Sequence, residues 1–217
     1  MYTEPLIKKR YGRYGNNHWM VYSFKLKRDV NLFSDLEYDH WILIESDYKI
    51  QLFCEQPAEA QIEGEEGTSI FDMWIKSADG DEIFFEIKYE QDLSDEAVAK
   101  QIDIQKKWCE VHGKKHQVRT EKDIRSNEKY LENLKDLLPY VLNNSTIVEI
   151  DRYKVLTQLK EGTKTVGELN QELNIGLPRL YEAVACMIYS GDILASLDKE
   201  YFGFGTEVWM NEKKEQI

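Results

Sequence analysis

Three things are scarce in this chain of 217 residues: cysteine, long apolar runs and net positive charge. Only Cys54, Cys109 and Cys186 are present, far apart, which excludes a disulfide framework and a cysteine zinc motif and suits a reducing compartment. No stretch approaches the length of a bilayer span, and Tyr2 to Lys9 contains no apolar run of the kind a signal sequence needs, so a cytoplasmic protein without a membrane association is expected. With 42% hydrophobic residues the chain can bury a core as one large domain or two small ones.

The net charge of -12 is the opposite of what contact with a phosphate backbone calls for. Its distribution is uneven. Residues 1 to 28 carry Lys8, Lys9, Arg10, Arg13, Lys25, Lys27 and Arg28 against Glu4 alone, so this arm is +6 and the remainder -18. Tyr11, Tyr14, Trp19 and Tyr22 are interleaved with the cations, a mixture that suits a nucleic-acid backbone and equally describes a solvated arm. Acidic excess elsewhere opposes non-specific DNA binding, so a DNA enzyme of this composition would need a partner to bring it to its substrate.

The stretch Phe84-Phe85-Glu86-Ile87-Lys88-Tyr89 puts an acid and a lysine two residues apart in an apolar run. As a strand it turns Glu86 and Lys88 to one face and Phe85 and Ile87 to the other. Upstream, Thr68 to Ile75 reads as a second strand, and Ser77-Ala78-Asp79-Gly80-Asp81 as the turn of a hairpin. A two-residue Asp79-Gly80 turn would set Asp72 opposite Ile87, on the wrong face. A three-residue loop with Gly80 in the left-handed conformation pairs Ser77 with Asp81 and Asp72 with Glu86. Two carboxylates then share a face with Lys88. They could hold a hard divalent cation such as magnesium, with the lysine orienting water or neutralising charge on a phosphate. A plain cross-strand ion pair is the competing reading.

An Asp on the first strand and Glu-x-Lys on the second resembles the PD-(D/E)xK nuclease superfamily. Four ordered blocks are similar, more narrowly, to TnsA endonucleases of heteromeric transposases. They are Ser34 to Asp39 with Ile42 to Glu45, then Glu55-Gln56-Pro57, then Glu86 to Tyr89 with Asp92-Leu93, and Trp108 to Ile124. The resemblance implies a metal site of Glu37, Asp72 and Glu86 with the Ile87 carbonyl, and Lys88 beside it. The family also holds glutamine at the position of Glu86. It further implies magnesium as cofactor, with manganese substituting, in a bacterial cytoplasmic enzyme. Such an enzyme would cut the 5′ ends of a transposon beside a TnsB-like DDE transposase and a TnsC-like AAA+ ATPase. Glu37 has a second reading, since Ser34-Asp35-Leu36-Glu37 is a capping box flanked by Phe33 and Tyr38 as a hydrophobic staple. A side chain bound to its own helix start is not free for metal.

The fold expected is α/β: a restriction-endonuclease-like mixed sheet flanked by helices over 1–145, a winged-helix-like domain over 146–210 and a charged tail over 211–217. In the first part, a strand Trp19 to Lys25 precedes a helix Asp35 to Glu45, and a strand Gln51 to Glu55 ends at Pro57. Ala58 to Gly67 reads as a strand end and loop. Ser94 is placed to cap a helix whose core stripe is Ala97, Gln101, Ile104, Trp108 and Val111, ended by Gly113. A strand Lys114 to Thr120 and a Thr120 to Asp123 box follow, then a helix Asn127 to Leu142 interrupted by Pro139. The second part reads as helices Arg152 to Lys160, Val166 to Leu173 capped by Thr165, and Leu177 to Tyr189 stopped by Gly191. Strands Ile193 to Leu197 and Phe204 to Met210 complete it. Its third helix carries Arg179 as its one base, and residues 151 to 217 sum to -3, which favours protein over DNA as its partner. Tyr181, Met187 and Tyr189 would serve that contact or the core. Two rivals remain at this stage: a stand-alone restriction or repair nuclease, and a non-catalytic adaptor.

Overall fold

A computed structural model describes residues 2–6, 17–64, 66–143 and 149–214. They form two compact units, the first running to Ser126 without Glu45–Tyr48, and the second comprising those four residues and everything from Asn127. The division after Ser126 falls earlier than the expected boundary at 145, because the next helix makes its contacts within the second unit.

In the first unit β1 (Trp19–Ser23) and β2 (Arg28–Leu32) form an antiparallel ribbon ahead of α1 (Asp35–Ser46). Then come β3 (Ile50–Glu55), β4 (Glu59–Gln61), β5 (Thr68–Ile70), β6 (Met73–Ser77) and β7 (Glu82–Ile87). A 3₁₀ turn (Glu90–Ser94), α2 (Glu96–Val111), β8 (Lys115–Arg119) and α3 (Glu121–Ile124) complete the unit. The main sheet has the order β3-β6-β7-β8; the first two pairings are antiparallel and β7-β8 is parallel, with α2 as the crossover that a parallel pair requires. This is a mixed sheet flanked by helices, as expected. The single run read over Thr68 to Ile75 is in fact two strands in two sheets. β5 pairs with β4, a separate strand where only a strand end and loop were expected, and the chain crosses to β6 through Phe71 and Asp72.

Both faces of β7 are covered, so the face that carries Glu86 also packs. Phe84 lies in a cluster with Phe71, Trp74, Ile104 and Trp108, while Ile87 packs with Leu36 and Ile124 on the opposite side. Burying each such large side chain stabilises the fold by about 1.5–3 kcal/mol, which is why an acid in the middle of the run needs local compensation. α2 is capped by Asp95, whose carboxylate accepts from Ala97 and Val98 N–H, and not by Ser94, which ends the 3₁₀ turn. Its expected core stripe holds at Ile104 and Trp108 and fails at Ala97 and Val111, both exposed, and at Gln101. The Thr120–Asp123 capping box and the left-handed Gly113 are as expected.

The second unit contains α4 (Glu128–Asn143), α5 (Glu149–Leu159), β9 (Lys164–Thr165), α6 (Val166–Leu173), α7 (Leu177–Ser190), β10 (Ile193–Ala195) and β11 (Glu207–Met210). The strands form an antiparallel sheet of order β10-β11-β9. α4 runs on through Pro139 without the interruption expected there, and belongs to this unit: Asn133 Nδ2 donates to the Leu197 and Glu200 carbonyls, and Tyr189 Oη to that of Leu134. Met187 and Tyr189 are core, and Tyr181 packs on it, so these three serve the fold. Gly191 ends α7 at φ 75°, where a Cβ would collide with the Tyr48 side chain. Among the described residues no helix is long and apolar enough to cross a membrane.

Candidate active site

The β6-β7 hairpin has the register that the three-residue loop demands. Lys76 pairs with Glu82 and Met73 with Phe85. Ser77 N–H donates to Asp81 O at 2.9 Å, Gly80 N–H to Ser77 O at 3.0 Å, and Gly80 adopts φ 86°. One residue beyond the ladder, Asp72 N–H donates to Phe85 O at 3.1 Å and Asp72 O accepts from Gln56 N–H at 3.0 Å. Asp72 is therefore held by backbone bonds on both sides although it stands at a change of sheet.

Its carboxylate reaches across the hairpin. Asp72 Oδ2 accepts from the Ile87 N–H at 2.8 Å and stands 4.0 Å from Lys88 Nζ. That ammonium also donates to Glu86 Oε1 in a short bond and to the Ile87 carbonyl at 3.5 Å. Three of the four groups that the resemblance implies as metal donors, Asp72, Glu86 and the Ile87 carbonyl, thus converge on one cation, the lysine of the chain itself, and Glu37 does not join them. All are hard oxygen donors, the set a magnesium ion takes. Among the described residues no three His, Cys, Asp or Glu side chains converge closely enough to hold a metal by themselves.

Glu86 is fully buried. Burial, followed by the neighbouring Asp72 charge, pushes its carboxyl up to about 8, against the opposing pull of Lys88 and a hydrogen bond from Gln105. Burial also disfavours the Lys88 ammonium, but Asp72 and Glu86 outweigh it and hold its pKa above the ordinary lysine value. Two glutamines finish the enclosure: Gln101 Nε2 donates to Glu86 Oε1 and Gln105 Nε2 to Oε2, each at 2.6 Å. Sequence reasoning put Gln101 in an apolar stripe and did not single out Gln105. The available signal was a pair of amides one turn apart on a helix that must cross over the Glu-x-Lys strand.

Glu37 keeps its capping role. Ser34 Oγ accepts from Glu37 N–H, and the Glu37 carboxylate accepts from Phe33 N–H at 3.0 Å and from Ser34 Oγ at 3.2 Å. Its charge still acts on Lys88 as a minor support of the ammonium. The Glu55-Gln56-Pro57 block is structural. The Arg28 guanidinium clasps Glu55 at 2.6 and 2.7 Å, and Gln56, at φ 39°, supports the Asp72 backbone. Lys25 is likewise engaged, donating to the carbonyls of Ile44 and Ile50. Trp19 stacks on Tyr38 and donates to Asp35. These members of the basic arm stabilise the fold, while Lys8, Lys9, Arg10, Arg13, Tyr11 and Tyr14 lie outside the described residues.

A mixed sheet flanked by helices, with an Asp and a Glu-x-Lys gathered on adjacent strands, defines a nuclease-like α/β protein. Residues 44–121 match the model of a particular family, the TnsA-like endonuclease N-terminal domain. The matched segment contains Asp72, Glu86, Lys88 and the whole main sheet and leaves Glu37 outside. No curated protein matches the chain.

Proposed function

We propose that this protein is a magnesium-dependent DNA endonuclease of a cut-and-paste transposition system. It would hydrolyse phosphodiester bonds at the 5′ ends of the transposon, within a complex with a TnsB-like DDE transposase and a TnsC-like AAA+ ATPase, in the bacterial cytoplasm. The observation that carries this reading is the convergence of Asp72, Glu86 and the Ile87 carbonyl on Lys88 Nζ, inside the segment that matches the TnsA-like family.

Asp72, Glu86 and the Ile87 carbonyl would hold magnesium or manganese, and Glu37 would join them only by releasing Phe33 N–H and the Ser34 hydroxyl. A divalent ion held there supplies Lewis acidity and lowers the pKa of its water. Lys88, displaced from its oxygen cage, is placed to neutralise charge that develops on the phosphate. The segment from α5 onward has the order helix, strand, helix, helix, strand, strand, that of a winged helix-turn-helix. Its role is contact with protein. Arg179, the one base on α7, is bound bidentately to Asp151, with contacts of 2.6 to 2.9 Å, and is therefore not free to read bases.

The test is strand cleavage of supercoiled DNA bearing a transposon end, in magnesium, by the protein alone and with a TnsB-like transposase. Cutting that needs the transposase and disappears in Asp72→Ala establishes the reading. Robust cutting alone would reassign the protein to restriction or repair, and no cutting or metal binding under either condition would make it an adaptor.

A further inference from the structure

Glu86 is a fully buried carboxylate whose surroundings are more specific than charge balance requires. A carboxylate offers about four acceptor positions, two on each oxygen. Oε1 receives Lys88 and Gln101, and Oε2 receives Gln105. The second amide is itself fixed. Gln105 is fully buried, its Nε2 also lies 2.9 Å from Ser69 Oγ, and its Oε1 stands 3.0 Å from His116 Nε2. Gln105 presents Nε2 to the acceptor Oε2 of Glu86, which turns its Oε1 to His116 and makes Nε2–H the donor on that ring.

We infer that Gln101 and Gln105 are positioning residues for Glu86, fixing its two oxygens so that only the positions left on Oε2 and vacated by Lys88 on Oε1 can meet an incoming cation. This inference rests on the proposed cation site and adds to it the part played by α2. Neither glutamine touches the ion; each acts through the carboxylate it holds. Hydrogen-bonding partners behind metal ligands contribute about 10–100-fold to metal affinity, and an amide pair held by a third side chain is of that kind.

The experiment is a manganese titration of the full chain, read by the electron paramagnetic resonance of the free ion. It compares Gln101→Met and Gln105→Met with the parent, each in the Glu86 and the Glu86→Gln background. The expected result is affinity weakened about 10–100-fold by each Met variant when Glu86 is present, and by no more than about threefold in the Glu86→Gln background, where no carboxylate remains to be held. Equal losses in both backgrounds, or no loss in either, would overturn the inference. If burial makes Gln105→Met unfold, the half-buried Gln101 carries the cycle alone. A parent protein that takes up no manganese would sink the cation site and not the positioning. The urea midpoints of the same proteins then decide the latter: non-additivity between each glutamine and Glu86 supports it, and additivity refutes it.

Discussion

Glu55 and Glu86 are both fully buried carboxylates on strands of one sheet, yet they are neutralised in opposite ways. Glu55 meets the planar fork of Arg28 through one bond to each of its oxygens and takes a longer one, 3.4 Å, from Asn31 N–H. Glu86 meets the point charge of Lys88, shares it with Asp72, and takes two neutral amides. The first arrangement is closed. The second sets two carboxyl groups against one flexible base, and Glu86 makes up the difference by holding a proton up to about 8.

Removing the cation separates the two sites most sharply. Arg28→Met leaves the fully buried Glu55 without its ion partner, and should destabilise the protein by about 3–5 kcal/mol in urea unfolding. Lys88→Met should destabilise it less at neutral pH, because Glu86 already holds its proton up to about 8 and can stay neutral. Equal losses would erase the distinction drawn above.

In catalysis the order reverses. Lys88→Ala and Asp72→Ala should each lower transposase-dependent strand cleavage by about 10²–10³-fold, whereas Arg28→Met should leave the rate per folded molecule within about threefold. Quantified nicking of supercoiled DNA, normalised to the folded fraction, reads both.

Acidity gives a smaller and continuous effect. The Glu86 carboxyl is raised in the fold from 4.5 to about 8. The folded state thus binds its proton more tightly than the unfolded chain, and stability that is complete below 4.5 is lost as pH rises toward about 8. Urea midpoints of the parent should fall relative to Glu86→Gln across that window and run parallel above it. A difference that is flat with pH would mean that Glu86 stays charged throughout. Smallest of all, Gly80→Ala should lose about 1 kcal/mol to the left-handed backbone. Because the space beyond Gly80 is open, its cleavage should be unchanged.

Much of this was legible in the chain because it is local. Strand alternation and a turn containing Gly80 suffice to place Asp72 opposite Glu86, and the capping boxes at Ser34, Thr120 and Thr165 mark helix starts by chemistry confined to four residues. What escaped was non-local. The passage of Phe71 and Asp72 from one sheet to the other depends on β4, which reads as a strand end and loop because its three residues pair only with β5. The amides of α2 were hidden for the converse reason. A helical stripe says which residues face inward, but not that what they face is a carboxylate. α4 was assigned to the wrong side of the boundary since its partners, Leu197 and Glu200, lie more than sixty residues further on.

The position of Lys88 among the oxygens of Asp72, Glu86 and Ile87 bears on how the protein waits. It acts as a tethered counter-ion, whose local supply does not depend on the salt around it. Dialysis against a chelator should therefore leave the fold intact, unlike domains in which the metal is itself the staple. On the proposed function, a cutter that idles until it is assembled would need just such a resting state, and this one side chain would provide it.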